Sequence, residues 1–140
     1  MICHRIVMTT DINEEWRRHQ SAFARRWLVS MYARKKVYWD DTVQPDANLR
    51  ARISQAATSE AGRTALLKDC CLVEAALATG RTVTSLDERV RQLLGEVAKQ
   101  RSELRPIVWV NPDLREEGCS AWLQAGAGPE RDRQLGERKT

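Results

Sequence analysis

The sequence predicts an α/β domain with a short parallel sheet, and three observations predict it. Ile107-Val108-Trp109-Val110 is a β-branched and aromatic run closed by Asn111-Pro112, the clearest strand in the chain. Thr82-Val83-Thr84 is a shorter run of the same kind, entered from Gly80. Between them Val90, Leu93, Leu94 and Val97 recur at helical spacing. Strands separated by helices pair in parallel, because the connecting helix returns the chain to the same end of the sheet.

The 140 residues, 42% of them apolar, suffice for one domain with a real core. The longest apolar runs fall far short of the roughly 20 residues a membrane span needs. Met1 to Met8 carries His4 and Arg5 and lacks the apolar stretch of a signal peptide. A soluble cytoplasmic protein with no membrane partner is expected. Cys70 and Cys71 are adjacent while Cys3 and Cys119 are isolated, so no zinc-ligand spacing exists. Buried thiols in a reducing compartment are the expectation. The net charge of +4 permits a polyanionic partner.

The remaining elements follow in order. Ile6 to Met8 is a short extended segment. Asp11 and Glu14 fit a capping box, and Ile12, Trp16, Phe23, Trp27 and Met31 then recur at helical spacing. One helix to about Ala33 is expected, with Trp16, Phe23 and Trp27 packed in the core. Its opposite face is basic, through Arg17, Arg18, Arg25 and Arg26. Tyr38 to Pro45 reads as a loop exposing Trp39. Asp46 caps a helix carrying Leu49 and Ile53, and Leu66 to Leu77 forms one or two helices ended by a left-handed Gly80. Leu86 to Gln100 is a further helix. Asp113 caps a last helix through Trp122. Residues 126–140, rich in Gly, Arg and Glu, are expected to fray, leaving residues 1–125 as the domain.

Three acids stand apart from the solvated charges. Glu15 precedes Trp16 early in the first helix, Asp69 sits at a helix start, and Asp87 directly follows a strand. Strand and helix ends are where α/β domains build sites. Carboxylates gathered there can hold a hard divalent cation, the requirement of phosphodiester hydrolysis. Asp69 and Asp87 also fit plain helix caps. His19, four residues after Glu15, shares its helix face.

At these residues the chain resembles the PIN domain family. The match lies in Glu15-Trp16 after a Thr-rich entry, in Lys68-Asp69 with Ala75-Ala76, and in Thr84-Ser85-Leu86-Asp87. It runs from about Ile6 to Asn111. The resemblance implies a three-layer α/β/α domain acting as a metal-dependent endoribonuclease of the kind found in toxin–antitoxin pairs. It implies Glu15, Asp69 and Asp87 as catalytic acids holding Mg²⁺ or Mn²⁺, with Ser85 orienting Asp87 or a bound water. Arg17, Arg18, Arg25 and Arg26 would guide the RNA backbone. RNA, an antitoxin-like protein inhibitor and a homodimer are the implied partners. The family's first acid ends an N-terminal strand, and nothing before Ile6 supplies it, so the domain is expected to be N-terminally incomplete. The alternative is a catalytically inactive PIN-fold remnant that binds RNA or a protein.

Overall fold

The computed structural model describes residues 4–137. Its chain opens with β1 (Ile6–Met8), α1 (Thr10–His19), α2 (Ala22–Ala33) and β2 (Val37–Trp39). Three helices follow, α3 (Ala47–Ala56), α4 (Glu60–Lys68) and α5 (Cys70–Ala78). Then come β3 (Thr82–Thr84), α6 (Glu88–Gln100), β4 (Val108–Val110) and α7 (Cys119–Gln124). Two single 3₁₀ turns, Arg131–Arg133 and Leu135–Glu137, close the described chain. No helix among the described residues is long and apolar enough to cross a membrane.

The strands form two parallel pairs. Ile6 registers with Val37 in β1–β2, and Thr82 with Val108 in β3–β4. The expected pairing of β3 with β4 is present, but the strands do not form one sheet among the described residues. Each pair is joined by its own helical crossover, α1 with α2 in the first and α6 in the second. Successive β4 side chains alternate between two cores, as the strand period requires. Trp109 packs with Leu66, Val73, Val90, Leu94 and Val97. Val108 and Val110 pack on the other side with Cys119 and Trp122. Trp109 and Trp122 are both buried, one in each core.

The first helix differs from its expectation. It is two helices, broken at Gln20–Ser21, and the Ser21 hydroxyl accepts the Ala24 N–H to start the second. The cap of α1 is Thr9, which accepts from Ile12 N–H, in place of the expected Asp11–Glu14 box. The apolar stripe is not packed in the core as expected. Phe23 is 71% exposed, Trp27 is exposed, and Trp16 is only partly covered. Trp16 and Trp27 pack on each other instead, ring centres 5.9 Å apart.

Other corrections are local. Val37–Trp39 is a strand where a loop beginning at Tyr38 was expected. The left-handed residue after α5 is Arg81, one past Gly80, and its N–H closes on the Ala76 carbonyl. Asp113 caps no helix: its N–H donates to Asn111 Oδ1, and α7 starts at Cys119. Part of the segment expected to fray is packed on the core. Leu135 is 1% exposed within the main core, and its N–H donates to the Ile107 carbonyl. Gly136 passes so close to Arg105 that a Cβ would stand 2.7 Å from the Arg105 Cβ.

Candidate acidic cleft

Asp69 lies between two helices. It ends α4 and begins α5, and its side chain makes no capping hydrogen bond. The plain cap reading therefore fails for Asp69. It holds for Asp87, whose Oδ1 accepts the Val90 N–H at the start of α6. The Ser85 hydroxyl accepts the Asp87 backbone N–H at 3.1 Å, and the Ser85 N–H donates to the Val110 carbonyl. Ser85 thus fixes the backbone of Asp87 at the C-terminal end of the β3–β4 pair. Glu15 projects from α1 and is engaged by its own helix, with Arg18 at 3.1 Å and His19 at 3.6 Å.

Glu15 and Asp69 line one open cleft of about 380 Å³. Trp16, His19, Lys68, Cys71 and Thr84 also form its walls. Asp87 does not line it but acts on it. Burial pushes the Asp69 carboxyl up and the nearby charge of Asp87 pushes it further, Lys68 pulls the other way, and Glu15 adds the smallest push. Three acids from α1, the α4–α5 junction and the start of α6 therefore share one electrostatic neighbourhood. Cys71 registers the same field. Burial pushes its thiol up to about 11, and Asp69, Glu15 and Asp11 add to the rise.

The acids are gathered without being closed into a ligand shell. Among the described residues no group of three His, Cys, Asp or Glu side chains stands in position to hold a metal ion. One oxygen of Asp87 is committed to the α6 cap, and Glu15 is shared between Arg18 and His19. The guanidinium groups of Arg17, Arg25 and Arg26 lie on exposed residues, as does that of Arg18.

Several residues in and beside the cleft were not assigned a site role from the sequence. Lys68 supplies a cation at the rim, and its place beside Asp69 was the available signal. Trp16 offers an indole N–H with no hydrogen-bond partner, although the atom is buried. Beside the cleft, Arg50 of α3 bridges Asp11 at 3.3 Å and Glu74 at 2.6 Å. Glu74 is 6% exposed and also accepts the Asp46 N–H, so this network ties α1, α3 and α5 together. Beyond the end of β4, buried Arg91 holds Glu117 at 2.7 Å and donates to the Trp109 carbonyl. Asn111 joins this knot by donating to Glu88.

Comparison of the chain with family models, with curated proteins and with solved structures returns no match in any of the three. The functional reading therefore rests on residues and geometry.

Proposed function

We propose that the chain is a PIN-like α/β/α domain that acts on RNA, with Glu15, Asp69 and Asp87 holding Mg²⁺ or Mn²⁺ for phosphodiester hydrolysis. The observation that carries this reading is the cleft that Glu15 and Asp69 line together, with the Asp69 carboxyl raised by burial and by the nearby charge of Asp87. Clustered carboxylates repel one another, which costs stability unless a cation offsets them. The two cores on opposite faces of β4 suit the layered fold.

The donor set fits in kind: all three groups present carboxylate oxygen, the ligand that hard divalent cations prefer. When bound, such an ion activates water and neutralises charge on the phosphate. The residues of the chain do the positioning. Ser85 fixes Asp87, while His19 and Arg18 orient Glu15. Lys68 places a positive charge at the rim, where substrate phosphate must pass three acids. Arg17, Arg25 and Arg26 offer phosphate contacts that carry affinity without sequence information.

A second reading, an inactive PIN-fold remnant that binds RNA or a protein, is favoured by a specific observation. The three acids are not in position to share one ion. Cleavage of a labelled RNA with Mn²⁺ separates the two. Hydrolysis by the purified chain, lost in Asp69→Asn and Asp87→Asn, supports the nuclease. Binding with no hydrolysis supports the remnant.

A further inference from the structure

From Trp16 to Trp39 the chain carries no Asp or Glu and seven Lys or Arg residues: Arg17, Arg18, Arg25, Arg26, Arg34, Lys35 and Lys36. Within this stretch Phe23, Trp27, Tyr32, Tyr38 and Trp39 are all exposed. Large aromatic rings are normally covered in a folded domain, and an exposed group of them marks an interaction surface. Two of the rings are fixed rather than loose. The Trp39 indole N–H donates to the Tyr32 hydroxyl at 2.6 Å, joining β2 to α2 on the outside of the protein. Arg25, Val29 and Tyr32 stand at i, i+4 and i+7 and share one face of α2. All three are exposed, and neither Tyr32 nor Trp39 lines the acidic cleft. Among the described residues, Arg25, Arg26, Arg34 and Lys35 have no acidic partner within ion-pair distance.

We propose that this face of α2 and β2, built on the Tyr32–Trp39 pair and the cations around it, is a binding surface for single-stranded RNA, separate from the acidic cleft. Fixed rings and unpaired cations are the two components such binding uses, stacking for the bases and charge for the backbone. An apolar protein segment would cover the rings and leave the cations without counter-charge. A duplex would neutralise the cations, but its bases are already stacked and offer no faces to the rings. The inference deepens the RNA reading above, yet it requires neither a metal ion nor the carboxylates.

The test is fluorescence anisotropy of a labelled uridine oligomer of about 12 nucleotides, set against an RNA duplex of equal length, in EDTA with the full chain. The single strand is expected to bind more tightly, with an affinity that falls steadily as salt rises. Trp39→Ala and Tyr32→Ala are each expected to weaken it about tenfold, while Trp39→Phe keeps most of the affinity. Circular dichroism confirms that each variant is folded. No binding of the single strand by the wild-type chain overturns the proposal. So does equal affinity for the duplex, or full affinity in folded Trp39→Ala. So does an oligomer, seen by size-exclusion chromatography, that dissociates in Trp39→Ala and never binds RNA. The assay in EDTA reads binding without metal-dependent cleavage, so failure of the nuclease reading and failure of this surface are told apart.

Discussion

Glu15 and Asp69 come from helices far apart in the chain and line the same cleft. The charge of Glu15 adds to the burial that pushes the Asp69 carboxyl up. Folding has therefore placed acids together at an electrostatic cost.

That cost fixes a pH dependence. Because the folded Asp69 holds its proton more tightly than the unfolded residue, the native state binds more protons between the ordinary and the raised value. Stability therefore falls as pH rises through that window, which begins near an ordinary aspartate value of about 4. Asp69→Asn removes the penalty. Its thermal midpoint is expected to exceed that of the wild type at neutral pH, and the gap to close below about pH 4. A variant less stable than wild type at neutral pH would contradict this.

The Arg50–Glu74 pair works in the opposite direction. Glu74 is buried and accepts from both Arg50 and the Asp46 N–H. Arg50→Ala leaves that carboxylate without its charge partner. Urea denaturation is expected to show a loss of about 3 kcal/mol, the low end for a broken buried pair because Arg50 is partly exposed. A loss below about 1 kcal/mol would mean the pair behaves as a surface bridge.

Leu135 tests the end of the chain. Its side chain fills the core formed by Ile53, Leu94, Leu104 and Ile107, so Leu135→Ala is expected to cost about 3 kcal/mol in the same assay. An unchanged midpoint would restore the frayed tail.

The thiols give a chemical readout. Burial pushes Cys70 and Cys71 up to about 11, so only about 0.1% of either is thiolate at pH 8. Reaction of both with a disulfide reagent is expected only after denaturant is added. Rapid modification in the native protein would place this helix elsewhere.

Much of the fold is legible in the sequence, and the exceptions have physical causes. β4 and α6 announce themselves because a β-branched run and a periodic stripe each meet a clear stop. The break between α1 and α2 does not, since Trp16, Phe23, Trp27 and Met31 keep helical spacing straight across it. Only the Ser21 cap signals the interruption. β2 hides because three residues give no alternation to count, and the turn before it uses Lys35 with φ of 59° where glycine would be the usual mark. The burial of Leu135 depends on the distant Ile107 carbonyl and Arg105, which local composition cannot reveal. At the cleft, Asp69 and Glu15 were legible as residue types at element ends. Their incomplete closure, and the commitment of Asp87 to a helix cap, come only from three-dimensional placement.

The most direct measurement is Mn²⁺-dependent cleavage of a labelled RNA by the wild-type chain beside Asp69→Asn, with Mn²⁺-induced thermal stabilisation recorded on both. The account predicts cleavage and stabilisation in the wild type, with both lost in the variant and the rate reduced by about a hundredfold or more. A wild-type chain that neither cleaves RNA nor gains stability from Mn²⁺, or a variant that does both equally well, would contradict it.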